Sequence, residues 1–529
     1  MNAARAATAE PAAGTGGTAT AGSGHRSNVQ AAVPLWLALV LSVAAGPVLD
    51  AGFPDRGWWP LTFVGVGMML VALRGRSLLA AVHLGLVAGL SFFLIHIQWA
   101  TVFLGPVPWL ALSTVMALWS ALGGTLIALA YRLVPGAWPG VLGRLLLLPA
   151  VVAGLWTAKE GISAVWPYGG FSWGRVGFSM AESPLASLFP WIGTAAVSFV
   201  AVFLVAFAIE CWLERGLPRL PRATAVVAGV ALAVVVPAWP VIPSSTLTVA
   251  AVQGNAKAGY FDQRERGDNL ADQVEATEPL FGEDVDVVVW PEGSSDIDPL
   301  ASNAAAAVFD RIAREMDAPL IAGAITERDG RVYNTSMLWQ EGEGATDLYD
   351  KKHPVPFGEY VPDRPFWRQF APRLIDMIGR DYTPGTLDSV FDLGDVSVGV
   401  NICFDIVDDQ LIRESVLGGA QAIFAQTNNA DFGTTDESIQ QLQIAQVRAL
   451  ETARTVVNIS TVGVSAIVLP TGEIVDRLDW YTPGAMVREI PLSEQLTLAV
   501  LAGRGIELLV SGIGLAGILI PPLTRRSRA

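Results

Sequence analysis

The chain has 529 residues, of which 52% are hydrophobic and only 16% are charged. This composition is too apolar for an ordinary soluble enzyme and indicates a protein that lies largely in a membrane. A net charge of −15 without a basic stripe argues against a nucleic-acid partner. Its two cysteines, Cys211 and Cys403, offer neither a disulfide framework nor a metal-binding spacing, and no zinc motif is present.

Residues 1–30 are mostly Ala, Gly, Thr and Ser, which predicts a disordered tail. Seven apolar segments follow, and an eighth lies near the C-terminus, each a predicted membrane-spanning helix. The eight segments lie at 34–50, 59–73, 77–100, 108–131, 141–158, 190–212, 223–240 and 506–523. The first could instead be a cleaved signal peptide, because small residues occupy 44–46, but the charge pattern described next requires it as a helix.

Basic residues between these segments predict the orientation of the chain. If the N-terminus is cytoplasmic, the loops and tails on that side carry twelve arginines, and the opposite loops carry only Arg56, Lys159 and Arg175. Cytoplasmic loops are enriched in Lys and Arg, so this bias predicts seven crossings from a cytoplasmic start. The region 241–500 is then extracytoplasmic, and the eighth helix returns the C-terminal tail to the cytoplasm.

The loop at 159–189 is unusually rich in aromatic residues and glycines. Its aromatic residues are Trp166, Tyr168, Phe171, Trp173, Phe178 and Phe189. Such a density is typical of a belt at the membrane–water interface. An element that guides lipid toward an active site is the alternative, and the sequence leaves both open.

From Leu247 onward the pattern changes to short strands and helices. Strands are predicted at 246–253, 285–290, 319–326, 334–339, 396–403, 422–426, 456–460, 465–469 and 474–478. Helices are predicted at 268–280, 303–316 and 437–454. This alternation predicts a layered α/β domain.

Three chemically different side chains lie just past predicted strand ends. Glu292 follows the strand at 285–290, Lys351 follows the apolar segment around 333–339, and Cys403 ends the strand at 396–403. Strand ends can meet in one cleft, where Glu292 could remove the thiol proton and Lys351 could stabilise an oxyanion. Each residue alone is more often structural, since a cysteine that ends an apolar strand is commonly a small buried hydrophobe.

The order Glu, Lys, Cys resembles that of the nitrilase superfamily, whose members have an αββα sandwich. Residues 349–362, Tyr-Asp-Lys-Lys-His-Pro-Val-Pro-Phe-Gly-Glu-Tyr-Val-Pro, resemble its membrane-bound branch, the apolipoprotein N-acyltransferase family. Residues 170–178, 427–433 and 446–454 resemble further motifs of that family. The resemblance implies a multi-pass α-helical membrane protein with about eight transmembrane helices and an extracytoplasmic nitrilase-like α/β domain.

The implied domains are a cytoplasmic tail, a seven-helix transmembrane domain, a catalytic domain, a C-terminal transmembrane helix and a second cytoplasmic tail. Their bounds are 1–30, 31–240, 241–495, 496–524 and 525–529. The protein would lie in the bacterial cytoplasmic membrane with both termini in the cytoplasm.

The resemblance makes Cys403 the nucleophile that takes an acyl group as a thioester and Glu292 its base. Lys351 matches the catalytic lysine because it lies two residues after Tyr349, whereas Lys352 is expected to matter little. The backbone N–H of Phe404 would be a second oxyanion donor, and Glu359 matches a glutamate near the triad, although it could also be a loop ion pair.

Two positions depart from the commonest family pattern. Phe404 and Asp405 stand where Tyr and Glu are common, and Asp431 stands where many members have Trp. If that Trp contacts lipid in relatives, this chain handles the acyl chain differently. The candidates for lipid or substrate contact are Trp173, Tyr260, Phe261, Asn429 and Asp431.

The implied reaction transfers a fatty acyl chain from a phospholipid, through a Cys403 thioester, to the α-amino group of the lipid-modified N-terminal cysteine of an apolipoprotein. It requires no cofactor or metal. One alternative is a membrane-tethered nitrilase-type amidase, which lipid dependence would separate from an acyltransferase. The other is a membrane scaffold for a polyprenol-phosphate mannosyltransferase, to which some family members are fused. An intact triad argues against a purely structural role.

Overall fold

The computed structural model describes residues 29–213 and 219–526. The predicted tail at 1–30 lies almost entirely outside these residues. The described chain forms a bundle of apolar helices joined to a domain of two β-sheets.

The bundle contains long and short apolar helices. Its first helices are α1 (Leu35–Asp50), α2 (Pro60–Leu73), α3 (Leu78–His96), α4 (Thr101–Leu104), α5 (Pro106–Ala137), α6 (Leu148–Ser163), α7 (Phe189–Leu213) and α8 (Arg219–Val234). Within the described ranges, five segments are long and apolar enough to span a membrane: Leu78–His96, Pro106–Ala137, Gly143–Ser163, Ala186–Leu213 and Leu498–Pro521. Three shorter apolar helices lie at Leu35–Asp50, Pro60–Leu73 and Ala223–Val234.

Contacts between residues at the helix ends show which of these ends lie together in the bundle. Arg74, just after α2, forms an ion pair with Glu210 near the end of α7, at 2.7 Å. Arg132 near the end of α5 donates to the carbonyl of Arg76, just before α3, at 2.9 Å. These arginines therefore share one end of the bundle.

The opposite end of the bundle meets the β-domain. His96 at the end of α3 hydrogen-bonds Asp50 at the end of α1 at 3.0 Å. The His96 carbonyl also accepts a hydrogen bond from Gln440 of the β-domain, at 3.2 Å. Thr194 in α7 donates to Glu451 of the β-domain at 2.8 Å.

The β-domain is built on two six-stranded sheets. The strands are β1 (Ser245–Gln253), β2 (Val287–Val289), β3 (Leu320–Arg328), β4 (Arg331–Gln340), β5 (Gly344–Asp350), β6 (Val390–Asp392), β7 (Ser397–Ile402), β8 (Ala422–Thr427), β9 (Thr455–Ser460), β10 (Ser465–Val468), β11 (Ile474–Leu478) and β12 (Gly484–Leu492). The strand orders are β12–β1–β2–β3–β4–β5 and β11–β10–β9–β8–β7–β6.

Helices cover the outer face of each sheet. They are α9 (Asp268–Thr277), α10 (Asn303–Glu315), α13 (Asp409–Leu417) and α14 (Asp436–Thr452). The short helices α11 (Arg364–Trp367) and α12 (Pro372–Met377) instead pack with α4 in a separate apolar cluster, and α15 (Leu498–Arg526) returns to the bundle. Val249 and Ala251 of β1 face the second sheet, whereas Ala250 and Val252 pack under α9 and α10. This is the alternation of a strand buried on both faces.

The layer formed by α13 and α14 is shared with the membrane helices. Ile412 of α13 and Leu442 of α14 belong to the same apolar cluster as Leu155 of α6 and Val202 of α7. The order of layers is therefore helix, sheet, sheet, helix, and the last layer rests on the bundle. The predicted αββα sandwich is confirmed.

Several elements differ from the prediction. The strands β5, β6 and β12 and the helix α13 were not predicted, and Lys351 follows β5 rather than the strand at 333–339. The β5 sequence, Gly-Ala-Thr-Asp-Leu-Tyr-Asp, has little apolar periodicity because this strand lies at the edge of its sheet.

The aromatic loop near 159–189 is mostly packed inside the protein. Phe178 and Phe189 are fully buried, and Trp173 is 3% exposed. Only Trp166, at 62% exposed, and Tyr168, at 36%, are open as an interfacial belt would require. The loop therefore lies chiefly in the contact region between the bundle and the β-domain.

Candidate active site

The predicted catalytic residues follow three strands that end at one side of the sandwich. Glu292 lies three residues after β2, Lys351 directly after β5, and Cys403 directly after β7. The first two strands belong to one sheet and the third to the other. The structure therefore brings the three side chains together, as the sequence predicted.

The Lys351 ammonium lies between two carboxylates. Its Nζ is 2.9 Å from Glu359 Oε2 and 3.9 Å from Glu292 Oε1. Asn334 Nδ2 bridges the same carboxylates, donating to Glu292 Oε1 at 2.7 Å and to Glu359 Oε1 at 2.9 Å. Lys351 is only 1% exposed, so this arrangement is almost free of solvent.

The two carboxylates have different protonation behaviour. Burial raises the pKa of Glu292 to about 7, although Lys351 opposes this shift. Burial alone would also raise the pKa of Glu359, but Lys351 and the hydrogen bond from the Val355 N–H lower it. Glu359 is thus the permanent counterion of the lysine, whereas Glu292 can exchange a proton near neutral pH.

Lys351 keeps its charge in this setting. Burial by itself lowers a lysine pKa, but Glu359, Cys403 and Glu292 together raise that of Lys351. A lysine held as an ammonium cannot act as a base. It can instead donate hydrogen bonds to an oxyanion.

Cys403 lies on a strained turn at the end of β7. Its φ of 51° is in the left-handed region, which is unusual for a residue with a β-carbon. Burial raises the pKa of its thiol well above the ordinary value, Glu292 raises it further, and Lys351 opposes the shift. The resting thiol is therefore protonated and requires a base, and Glu292 is close enough to influence the pKa of the thiol.

The next two residues fix the turn. Asp405 Oδ2 accepts hydrogen bonds from the Tyr349 hydroxyl at 2.8 Å and from the Ile402 N–H at 3.0 Å. Burial raises the Asp405 pKa to about 6. The Phe404 ring is parallel to that of Trp173, with centroids 6.1 Å apart.

The predicted lipid contacts have diverse surroundings. Trp173 is buried beside Phe404, and Phe261 is 47% exposed against Phe103 of α4. The Tyr260 N–H donates to Asp431 Oδ1 at 2.6 Å, so these two candidates are tied to each other.

Asn429 is buried in a polar network rather than placed on a surface. Lys352 turns away from the triad and pairs with Glu414 at 3.2 Å. Within the described chain no group of three or more His, Cys, Asp or Glu residues could hold a metal ion.

Sequence reasoning missed three polar residues of the site. Asn334 lies inside β4, and Glu437 and Gln441 lie on α14. All three are distant from Cys403 in the sequence, so the sequence did not indicate that they belong to the same site. Only the position of Glu437 and Gln441 one helical turn apart could have suggested that they act together.

Comparisons with known proteins agree with this architecture. The apolipoprotein N-acyltransferase N-terminal domain matches residues 45–207, and the carbon–nitrogen hydrolase domain matches residues 248–496. The apolipoprotein N-acyltransferase of Mycolicibacterium smegmatis is 32% identical over 91% of this chain and 84% of that protein. The chain belongs to the apolipoprotein N-acyltransferase family. It is accordingly a membrane protein with a nitrilase-like carbon–nitrogen hydrolase fold.

One further relative and two solved structures have lower identity to this chain. The apolipoprotein N-acyltransferase of Azotobacter vinelandii is 28% identical over 88% of this chain and 91% of that protein. Among solved structures, an amidase from Nesterenkonia covers 48% of this chain and 93% of its own at 19% identity and a TM-score of 0.37. Nit3 of Saccharomyces cerevisiae, a nitrilase-superfamily member, has the same coverages and identity and a TM-score of 0.38.

Proposed function

We propose that this protein N-acylates apolipoproteins in two steps through a thioester on Cys403. A phospholipid donates the acyl chain, and the α-amino group of a diacylglyceryl-modified N-terminal cysteine receives it. The observation that carries the proposal is the buried meeting of Glu292, Lys351 and Cys403 in a chain of this family.

In the first step Glu292 takes the thiol proton, and the thiolate attacks the ester carbonyl of the phospholipid. The oxyanion of the tetrahedral intermediate is stabilised by Lys351 Nζ and by the backbone N–H of Phe404. Collapse breaks the ester C–O bond, and the leaving alkoxide takes the proton from Glu292. The products are the Cys403 thioester and a lysophospholipid.

In the second step the amine attacks the thioester carbonyl and forms the C–N bond. The amine proton passes to Glu292, the C–S bond breaks, and the Cys403 thiolate recovers a proton from Glu292. The near-complete burial of Lys351 and the joint with the bundle favour aminolysis over hydrolysis, because water is scarce at this site.

The described contacts also support a topology for the proposal. The shorter helices α1, α2 and α8 would cross the membrane together with the five longer segments, giving eight crossings. Arg74, Arg76 and Arg132 gather at the bundle end opposite the β-domain, which by the positive-inside bias is the cytoplasmic end. The catalytic domain would then face the extracytoplasmic side. The mannosyltransferase partner stays a prediction from the resemblance.

The test is the intact mass of the detergent-purified protein after incubation with a phospholipid, with Cys403→Ala beside it. A fatty-acyl increment that neutral hydroxylamine removes, and that the variant lacks, supports the thioester. A diacylglyceryl-cysteinyl peptide should then discharge the increment and become amide-linked to it. A folded protein that acquires no increment in the presence of lipid would overturn the proposal.

A further inference from the structure

A buried polar chain reaches the nucleophile from α14 and has no part in the two steps above. Gln441 Nε2 lies 3.9 Å from Cys403 Sγ. Asn429 Nδ2 donates to Gln441 Oε1 at 2.8 Å and to Glu437 Oε2 at 2.7 Å. Asn429, Glu437 and Gln441 are all buried, so their amide and carboxyl groups depend on each other for hydrogen bonds.

The orientation of the Asn429 amide follows from its other partners. Ser460 Oγ accepts a hydrogen bond from the Gly463 N–H at 2.9 Å, and its own hydroxyl donates to Asn429 Oδ1 at 2.6 Å. The Thr427 hydroxyl donates to the same oxygen at 3.1 Å. With the oxygen of Asn429 held on that side, its NH₂ group must face Glu437 and Gln441.

The orientation of the Gln441 amide follows in turn. Its oxygen accepts from Asn429, so its NH₂ group is the part that faces the Cys403 sulfur. An N–H donor stabilises a thiolate more than a thiol, because the hydrogen bond to the charged form is the stronger one. The donor therefore acts on the sulfur when it carries charge.

We propose that Gln441 is a hydrogen-bond donor to the Cys403 sulfur, and that Asn429 and Glu437 are positioning residues that fix its amide. The donor stabilises the thiolate as it forms in the first step and as it leaves in the second. This inference rests on the proposed function, because it takes Cys403 as the acyl carrier.

The charge state of Glu437 supports this arrangement. Burial raises its pKa, the hydrogen bond from Asn429 opposes this shift and Glu292 adds to it, and the net pKa is about 8. At neutral pH the Glu437 carboxyl is therefore protonated and adds no negative charge beside the thiolate. Above about pH 8 it ionises, and it then faces both Glu292 and the Cys403 sulfur as a further anion.

The first test is the pH dependence of Cys403 alkylation by iodoacetamide, assigned to that cysteine by peptide mass spectrometry. Gln441→Met keeps the length of the side chain but removes the donor, and it should raise the midpoint by about one pH unit. Acyl-enzyme formation at pH 7 should slow by about tenfold. The matched control is Gln446→Met on the same helix, whose amide binds the Gly472 carbonyl instead.

The second test separates position from charge. Glu437→Ala removes one of the two acceptors of the Asn429 NH₂ group, so the amide that positions Gln441 is held less firmly and acylation should slow about as much as in Gln441→Met. Glu437→Gln keeps a neutral acceptor, so it should have most of the acylation rate that Glu437→Ala loses. The wild-type rate should decline above about pH 8 as Glu437 ionises, and the rate of Glu437→Gln should not.

An alkylation midpoint in Gln441→Met equal to those of the wild type and the Gln446→Met control would overturn the inference. So would equal acylation rates in Glu437→Ala and the wild type. If the wild type forms no acyl-enzyme, the proposed function fails instead, and the alkylation midpoints still decide whether Gln441 acts on the sulfur.

Discussion

Lys351 and Glu359 form a buried ion pair in which Nζ and Oε2 are 2.9 Å apart. Glu292 lies a full ångström farther from the same ammonium, at 3.9 Å. This difference in distance distinguishes the roles of Glu359 and Glu292, although both residues have the same side chain. One neutralises the lysine, and the other remains able to take up and release a proton.

Glu359→Gln should therefore impair the reaction even though Glu359 does not contact the nucleophile. Without its counterion Lys351 would pair with Glu292, lower the pKa of that carboxyl and weaken it as a base. Acyl-enzyme formation at pH 7 should fall on the order of 100-fold. Stability to unfolding should fall by about 3 kcal/mol, because the ammonium is left buried with one partner fewer.

Quenched intact-mass time courses would measure the acylation rate, and thermal unfolding would measure the loss of stability. Glu414→Gln is the matched control, since Glu414 pairs with Lys352 in a partly exposed position. If Glu359→Gln acylates at the wild-type rate, Glu292 can act as the base without Glu359 as a separate counterion for Lys351.

The two adjacent lysines should behave differently. Lys351→Met removes the buried oxyanion donor and should reduce acylation by about 10²–10³-fold. Lys352→Met breaks only a partly exposed pair with Glu414, which contributes about 0–1 kcal/mol, so its rate should change less than about twofold. Acylation rates of both variants with one phospholipid check this. Equal losses would mean that the site uses either ammonium.

Acylation should become faster as pH rises toward neutrality. Glu292 acts as a base only when ionised, and burial places its pKa at about 7. The rate should rise by about tenfold per unit well below pH 7 and level off between pH 7 and about 8, above which Glu437 ionises. Single-turnover acylation between pH 5.5 and 7.5 would show the limb. A flat profile would exclude Glu292 as the base.

The raised pKa of Glu292 also affects the stability of the folded protein. Glu292 releases its proton near 4.5 in the unfolded chain and near 7 in the folded protein. Between pH 4.5 and pH 7 the folded state binds more protons than the unfolded state. The contribution of Glu292 to the stability of the folded state is therefore complete below pH 4.5 and is lost as pH rises through 7. Thermal unfolding should show this decline in the wild type and a smaller one in Glu292→Gln.

The convergence of Glu292, Lys351 and Cys403 could be predicted from the sequence because each of them follows a strand or motif with a local signature. Val285 to Trp290 is a nearly continuous β-branched run, and Cys403 ends an alternating one. Lys351 was placed correctly for a partly wrong reason, since its strand β5 is a polar edge strand. Edge strands lack the apolar alternation on which strand prediction depends.

The polar residues around the triad could not be predicted in the same way. Asn334 contacts Glu292 across 42 positions of sequence, and Gln441 contacts Cys403 across 38. Such contacts depend on the order of the strands within a sheet and on how α14 packs against its sheet, which no local pattern encodes. Asn429 is an example of this difference. Its motif predicted a contact with lipid or substrate, but the residue is buried and hydrogen-bonds Glu437 and Gln441.

Asp431 should anchor the segment that carries Tyr260. Its Oδ1 accepts the Tyr260 N–H at 2.6 Å, and Arg380 lies over the Tyr260 ring at 4.1 Å and 4.0 Å from the Asp431 carboxylate. Asp431→Ala should increase hydrogen–deuterium exchange at 254–266 by about tenfold, because a hydrogen bond to a charged acceptor contributes about 1.5–3 kcal/mol. Asp431→Asn keeps an acceptor and should lose less protection. Unchanged exchange in Asp431→Ala would mean that packing on Phe103, rather than the carboxylate, holds this segment.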